Sequence, residues 1–335
     1  MNNPIDPPPL NLELHRIMKE KLGSNPMASP DISAEQLLNI VGNDPGTPDA
    51  VIDQGGAVKI THLKIPAASG EEQIPVLIVE PSGRTGRPLP CLYYTANGGK
   101  IRQGATAGVT PFDTALVATH GIVLVSISPR VGPKHRHPAQ VEDAYAGLEW
   151  LNENAAQLSI DPTKIIIMGK SGGGGIAAST AIYARDRGGP PIAYQMLIYP
   201  MLDDRTVTVS SRYAAAGWGP RHNQIGWNAI LGDATGGPDV DSYAAAAREM
   251  NLKGLPPAYV EVGSSEIFRD EDLQYASRLA EAGVPVEIHS WMGGFHGFEI
   301  VAPDAALSRS CLQTRESFLA RALTEMADSG SSPAR

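Results

Sequence analysis

Residues 164–185 read KIIIMGKSGGGGIAASTAIYAR, and this stretch decides the fold. The apolar run at 164–168 predicts a buried strand, and the run at 176–185 predicts a helix. Between them the pattern G-x-S-x-G, residues 169–173, is typical of a sharp strand-to-helix turn in which glycines make room for a strained serine. We therefore expect Ser171 to be an exposed nucleophile, with N–H groups at the start of the helix available to a developing oxyanion.

Two phosphate-binding interpretations of the same glycines fit less well. A P-loop needs a glycine five residues before Gly169, where Lys164 stands. A dinucleotide fingerprint, G-x-G-x-x-A, begins at Gly172, but residues 194–197, about 20 positions further on, contain no acid to hold a ribose. The strand-turn-helix context thus favours a nucleophile over a nucleotide site.

A nucleophilic serine needs a general base and an acid that orients the base. After such a turn the order is serine, acid, histidine, each on a loop behind a strand. Behind the apolar run at 258–262 the sequence offers four acids: Glu266, Asp270, Glu271 and Asp272. Behind the run at 286–291 comes MGGFHGF, in which flanking glycines let the loop bring the imidazole of His296 back to the serine. His296 is therefore the candidate base.

His135 and His137 raise the question of a metal site. One residue separates them, and no acid or cysteine cluster of matching spacing accompanies them. We interpret this segment as a structural loop and predict neither a metal ion nor another cofactor.

Short apolar runs alternate with helical patterns along most of the chain. The predicted strands cover residues 57–65, 74–79, 90–95, 122–126, 164–168, 194–199, 258–262 and 286–291. Because strands that alternate with helices form parallel sheets, we expect an α/β fold with a mostly parallel, eight-stranded sheet flanked by helices.

Two segments depart from this alternation and predict a helical cap. Residues 1–55 form an N-terminal arm with apolar residues at helical spacing, and residues 203–250 carry two tryptophans among many small residues. The catalytic core then comprises residues 56–202 and 251–327. Residues 328–335, rich in serine, are predicted to be a disordered tail.

Composition excludes several classes of protein. The chain has 335 residues and a net charge of −9, without a long basic block, which argues against nucleic-acid binding. The first ten residues lack a positive charge and an apolar core of the kind found in signal peptides. Since no apolar run approaches the roughly 18 residues of a membrane span, we expect a cytoplasmic protein without membrane partners.

Five ordered landmarks resemble the hormone-sensitive-lipase-like family of α/β-hydrolases, which are mostly carboxylesterases acting on short acyl esters. The resemblance covers about residues 75–320. The landmarks are Asn97-Gly98-Gly99-Lys100 at the place of the His-Gly-Gly-Gly oxyanion loop, the turn and helix start at 129–143, and the segments 255–258, 280–285 and 294–298.

The resemblance implies an α/β-hydrolase fold and a serine hydrolase that cleaves a small-molecule ester. In it Ser171 attacks, His296 takes its proton, and Glu266, at the position of the usual aspartate, orients the histidine. It places the oxyanion-binding N–H groups at Gly99, Lys100 and Gly172, with Gly98 shaping the same loop.

The sequence also departs from the family pattern. Asn97 replaces the loop histidine, Lys100 a glycine, and Lys170 the acid before the serine. Lys100 and Lys170 are candidate substrate contacts for anionic esters. The alternatives are a salt bridge for Lys170 and a position along the surface for Lys100. Asp270 is an alternative triad acid or else a residue at a helix start.

Other functions of the same fold stay open on the sequence alone. They are a lyase, dehydratase or acyltransferase, and a ligand receptor without catalysis, for which the altered oxyanion loop is the argument. The family often pairs through its last strand and the neighbouring helix, so a homodimer is also open. The sequence does not specify the natural substrate.

Overall fold

The computed structural model describes residues 5–22, 29–42, 44, 46–84, 86–96, 98–215 and 217–329. Within these ranges one sheet has eight strands in the order β1-β2-β4-β3-β5-β6-β7-β8. The strands are β1 (Val58–Pro66), β2 (Gln73–Pro81), β3 (Leu89–Thr95), β4 (Val123–Ile127), β5 (Ile160–Lys170), β6 (Tyr194–Ile198), β7 (Ala258–Gly263) and β8 (Val286–Trp291). All eight predicted strands are confirmed, and β2 is antiparallel to both of its neighbours while the rest are parallel.

Helices connect and cover the strands. They are α1 (Leu12–Leu22), α2 (Ala34–Gly42), α3 (Asp49–Ile52), α4 (Pro111–His120), α5 (Ala139–Glu153), α6 (Gly172–Arg187), α7 (Pro220–Leu231), α8 (Arg269–Glu281), α9 (Phe298–Val301) and α10 (Ala306–Ser329). Alternate residues of the central strands face opposite sides of the sheet. Tyr94 and Met168 share a core with α4 and α10, whereas Tyr93 and Ile167 share one with α5, α6 and α8.

The strand order creates a crevice above the middle of the sheet. From β3 the chain turns toward one edge through α4 and β4, and α5 then carries it back across β3 to β5. In open α/β sheets, such a reversal leaves room for a ligand at the carboxyl ends of the strands. Thr95 at the end of β3 pairs with Gly169 near the end of β5, so the loops that follow these two strands lie side by side.

The two segments outside the alternating pattern lie near these strand ends. In the N-terminal arm, Leu14 of α1 is buried with Phe295 and Phe298, on both sides of His296. The 203–250 segment contains α7 and short 3-10 turns, and both of its tryptophans are buried.

Two predictions concern residues that the structure describes only in part or not at all. Helix α10 continues to Ser329, so residues 328 and 329 are helical and the prediction of disorder is wrong for them; residues 330–335 lie outside the described residues. Asn97 also lies outside them. Across the described ranges, no helix combines the length and apolar character needed to cross a membrane.

Candidate active site

Ser171 lies in the turn between β5 and α6, residues 169–173, which we call the elbow turn. Its backbone has φ 56° and ψ −124°, a conformation that is strained for any residue with a side chain. Its N–H donates to the Ile198 carbonyl at 2.9 Å, and its own carbonyl accepts from Gly175 and Met201 at 3.0 Å each. These bonds hold the strained conformation and fix the serine at the start of α6.

Glycine is required in the elbow turn because the chain folds back on itself there. A Cβ on Gly169 would lie 2.4 Å from the Gly173 carbonyl and 2.6 Å from the Thr95 hydroxyl. That hydroxyl donates to the Gly173 carbonyl at 2.7 Å and so joins β3 to the first turn of α6. The glycine at position 169 is therefore explained by close backbone approach.

The structure brings Ser171, His296 and Glu266 together. The Ser171 hydroxyl lies 2.9 Å from His296 Nε2, and His296 Nδ1 lies 2.5 Å from Glu266 Oε2. Because an ionised carboxylate can only accept, Nδ1 carries the hydrogen and Nε2 is left to accept from the serine. This is the arrangement needed to deprotonate a serine nucleophile.

Glu266 is fully buried and held at both oxygens. While Oε2 accepts from His296, Oε1 accepts from the Gly263 N–H at 2.9 Å. A Cβ on Gly263 would lie 2.3 Å from the Gly294 carbonyl, so the acid segment and the histidine segment are in direct backbone contact. This contact fixes the carboxylate relative to the imidazole.

Further hydrogen bonds join the acid loop, residues 264–268, to the His296 loop, residues 292–297. Ser265 N–H donates to the Gly294 carbonyl at 3.0 Å, and Gly293 N–H donates to the Ser264 hydroxyl at 2.8 Å. The N-terminal arm joins from the other side, since the Asn11 N–H donates to the Gly293 carbonyl at 3.0 Å. The His296 loop is thus held between the core and the arm.

Two aromatic rings, which the sequence analysis did not identify, pack on the imidazole and position it. The rings of Tyr199 and Phe268 stand edge-on to His296, with centroids 4.7 Å and 5.2 Å away. Tyr199 directly follows β6 and has φ 36°, and its place at the carboxyl end of a central strand is the signal that could have identified it. Phe268 gave no signal beyond its nearness to Glu266.

Residues 98–100 form a tight turn after β3, which we call the glycine turn. The Gly98 carbonyl accepts from the N–H groups of Ile101 at 3.1 Å and Arg102 at 3.0 Å, which makes Gly98 the base of the turn. Gly99 and Lys100, at φ 57° and 62°, form its tip in the left-handed region. Lys100 therefore adopts the conformation that glycine provides in the family pattern. Its side chain is buried, so the alternative that it lies along the surface is wrong.

Gly172 directly follows Ser171 and is the first residue of α6. The first N–H groups of a helix have no intrahelical acceptor and lie at the positive end of its dipole. The elbow turn and the glycine turn are neighbours because β5 and β3 are paired. Backbone N–H groups from both turns are therefore suited to donate to a single oxyanion.

The 203–250 segment covers the glycine turn. A Cβ on Gly99 would lie 2.1 Å from the ring of Trp218, and a Cβ on Gly226 of α7 would lie 2.5 Å from the Gly99 carbonyl. Trp218 is 8% exposed. An aromatic ring and a helix thus pack directly on the turn.

Of the two alternatives for Lys170, substrate contact or salt bridge, the structure supports the salt bridge. Its ammonium lies 2.5 Å from Asp113 Oδ2 and donates to the Gly108 carbonyl at 3.1 Å. Both side chains are buried on the α4 side of the sheet, and Asp113 also caps α4 by accepting from Thr110. Because side chains alternate along β5, Lys170 points to the same side of the sheet as Met168, where α4 packs. There it is one partner of a buried ion pair.

The other candidate acids lie elsewhere. Asp270, in the first turn of α8, accepts from the Ser210 N–H at 2.8 Å and does not reach His296. Glu271 accepts from the N–H of Leu202 at 2.8 Å, and burial raises its pKa well above the usual range. Burial raises the pKa of Asp272 as well.

His135 and His137 belong to two separate pairs. His135 lies 3.3 Å from Glu72, and His137 lies 3.1 Å from Asp241. In the part of the chain that the structure describes, no three His, Cys, Asp or Glu side chains converge as metal ligands do.

Comparisons with known proteins agree with this geometry. A family model described as the alpha/beta hydrolase fold matches residues 93–300. The carboxylesterase NlhH of Mycobacterium tuberculosis is 33% identical over 247 residues, which cover 71% of this chain and 76% of that protein.

Solved structures extend the likeness over almost the whole chain. A bacterial heroin esterase has a TM-score of 0.82 at 32% identity, covering 94% of this chain and 98% of its own. A hyperthermophilic esterase from the archaeon Pyrobaculum calidifontis has a TM-score of 0.75 at 28% identity, covering 95% and 99%. With the strand order, the elbow turn and the serine, histidine and glutamate in contact, these matches show that the chain belongs to the hormone-sensitive-lipase-like family of α/β-hydrolases.

Proposed function

We propose that this protein is a carboxylesterase in which Ser171, His296 and Glu266 hydrolyse small carboxylic esters through an acyl-enzyme. The observation that carries the proposal is the unbroken set of contacts from Glu266 through His296 to the Ser171 hydroxyl. The relatives named as esterases support ester hydrolysis as the reaction.

In the first half-reaction His296 Nε2 removes the proton from Ser171 as its oxygen attacks the acyl carbonyl. The N–H groups of Gly99, Lys100 and Gly172 stabilise the tetrahedral oxyanion. Glu266 keeps the hydrogen on Nδ1 and stabilises the imidazolium that forms. His296 then protonates the leaving alcohol, which departs and leaves the acyl group on Ser171.

In the second half-reaction a water molecule takes the place of the alcohol. His296 deprotonates that water, which attacks the acyl carbonyl, and the same N–H groups stabilise the second oxyanion. Collapse of this intermediate releases the acid and returns the proton to Ser171. Water is therefore the co-reactant that the second half-reaction consumes.

We further propose that the N-terminal arm and residues 203–250 form the cap that limits substrate size. Contacts of the arm with the His296 loop and of Trp218 with Gly99 support this assignment. A bulky ring fixed on the glycine turn restricts the space beside the oxyanion, which favours short acyl groups.

A series of p-nitrophenyl esters from acetate to decanoate tests the proposal. The wild type should hydrolyse the short esters with the highest kcat/KM, and a burst of p-nitrophenol followed by slower release would reveal the acyl-enzyme. The matched control is Ser171→Ala. Equal rates for wild type and control, or a preference for decanoate, would contradict the proposed chemistry or the proposed size limit.

A further inference from the structure

Lys100 is an unusual residue for the tip of the glycine turn. Its φ of 62° is one that glycine adopts without strain and lysine does not. Its side chain is also buried, at 2% exposure, although an ammonium is costly to remove from water. Two unfavourable features at a single position suggest that the side chain serves the site beside it.

The ammonium of Lys100 lies between Trp227 of α7 and the first turn of α6. It lies 4.8 Å from the ring centroid of Trp227 on α7, a distance suited to a cation–π contact. It also lies 3.1 Å from the position that a Cβ on Gly175 would occupy, in the first turn of α6. Because the Gly175 N–H donates to the Ser171 carbonyl, this places the charge one helical turn from the nucleophile.

Two acidic side chains influence the charge of the ammonium. The field of Glu271 on α8 and that of Asp204, after β6, both favour its charged form. Asp204 is itself paired with Arg248, and Asp203 pairs with Arg205 in the same loop. Helix α7 carries Arg221 and His222, and α6 has no titratable residue between Gly172 and Ile182.

Burial is the larger influence and lowers the pKa of Lys100 to about 7, against the opposing fields of the two carboxylates. The buried amine therefore changes charge within the range where esterases are assayed. Below that pH it is a cation next to the glycine turn, and above it a neutral amine.

We propose that the buried ammonium of Lys100 is a positioning group that holds the glycine turn against α6 and supplies positive charge behind the oxyanion-binding N–H groups. This role rests on the proposed ester hydrolysis. The ammonium acts through the turn that carries it, so it strengthens the stabilisation of the oxyanion without contacting the ester.

Lys100→Met tests this role because it keeps the length of the side chain and removes the charge. Removing an oxyanion donor costs about 10²–10³ in kcat, and a charge acting through the turn should cost less, about 10-fold at pH 6. The difference should shrink toward none at pH 9, where the wild-type amine is neutral. KM for p-nitrophenyl acetate should change little.

Stability gives the second readout. A lysine whose pKa is lower in the folded than in the unfolded protein is destabilising below its unfolded pKa, most strongly below about pH 7. Lys100→Met should therefore raise Tm, and more so at pH 6 than at pH 9. A variant that is more stable and yet slower identifies a functional charge, because a purely structural lysine would not give this combination.

Two controls complete the experiment. Lys100→Gly removes the ammonium and relieves the left-handed strain, and it should be slow at pH 6 as well. Lys59→Met removes an exposed lysine on β1 and should match the wild type. A wild-type kcat in either Lys100 variant at pH 6, or a constant ratio to wild type from pH 6 to 9, overturns the inference while leaving ester hydrolysis intact. A wild type that hydrolyses no ester overturns both.

Discussion

Glu261 and Glu266 stand five residues apart in the sequence, both fully buried, and serve two different arrangements. Glu261 on β7 pairs with Arg315 of α10, and both side chains are 1% exposed. Glu266, just beyond the strand, pairs with His296, whose side chain is 11% exposed and reaches Ser171. We call the first arrangement the closed network, because all its charges are buried, and the second the open network, because it ends at the nucleophile.

The closed network joins β7 of the sheet to the helices α9 and α10. Arg315 contacts Glu261 and also lies 3.1 Å from Glu299 of α9. Glu299 in turn accepts from the Tyr199 hydroxyl at 2.7 Å. Because its permanent cation and both carboxylates are buried, the network offers a substrate no accessible base.

The open network differs in the chemistry of its cationic partner. An imidazole offers one nitrogen to Glu266 and keeps the other for Ser171, whereas a guanidinium only donates. A buried glutamate therefore contributes to stability when its partner is arginine and to proton transfer when its partner is histidine. Substitutions in the open network should reduce rate, and substitutions in the closed network should reduce stability.

The largest effect should come from Ser171→Ala or His296→Ala. Triad members act as a unit, so each loss should reduce kcat by about 10⁶ while the fold is kept. Ester hydrolysis and thermal unfolding of both variants check this. Activity above a few per cent of wild type in Ser171→Ala would show that another group is the nucleophile.

Next in size is Glu266→Gln, which keeps an oxygen for the Gly263 N–H but no longer fixes the hydrogen of His296 on Nδ1. A loss of about 10⁴ in kcat is expected, by analogy with the tautomer effect in serine proteases. Asp270→Asn is the matched control and should keep most activity, since Asp270 bonds to Ser210. The opposite result would exchange the two roles.

The closed network should respond in stability. Arg315→Met leaves Glu261 and Glu299 buried without their cation, which should lower the free energy of unfolding by about 3–5 kcal/mol. Urea unfolding measures the loss, and kcat of the folded protein at low temperature should stay within a few fold. Adding Glu261→Gln should recover part of the stability, because one uncompensated charge is then removed.

Much of the sheet, Ser171 and His296 could be predicted from the sequence because their signals are local, whereas the choice of Glu266 among four acids came from the family resemblance. Each strand is a short apolar run, and Ser171 and His296 both lie among glycines directly after strands. These loops follow parallel strands and therefore lie at the same, carboxyl end of the sheet. Local patterns were thus enough to predict that the two side chains lie close together.

The buried ion pairs could not be predicted in this way. Lys170 and Arg315 are charged residues whose partners lie 57 and 54 positions away, at Asp113 and Glu261. Charge alone suggests a solvated side chain, or for Lys170 a substrate contact or a salt bridge, and only tertiary packing reveals which residues are the partners. The same holds for the Trp218 ring on Gly99, which no local pattern indicates.

Tyr199 links the two networks and gives the smallest expected effect. Its ring packs on His296, while its hydroxyl donates to Glu299. Burial, together with the charge of Glu299, holds the pKa of Tyr199 well above its usual range, so the hydroxyl remains a donor at any assay pH.

Tyr199→Phe keeps the ring against His296 and removes only the bond to the closed network. We expect a loss of about 1 kcal/mol in the free energy of unfolding, the size of a single hydrogen bond, and a kcat within about twofold of wild type. Tyr199→Ala is the contrasting variant, since it also removes the ring and should lower kcat further by loosening the imidazole. If Tyr199→Phe alone lowered kcat more than tenfold without a matching loss of stability, the closed network would be coupled to proton transfer, and the division between the two arrangements would fail at this residue.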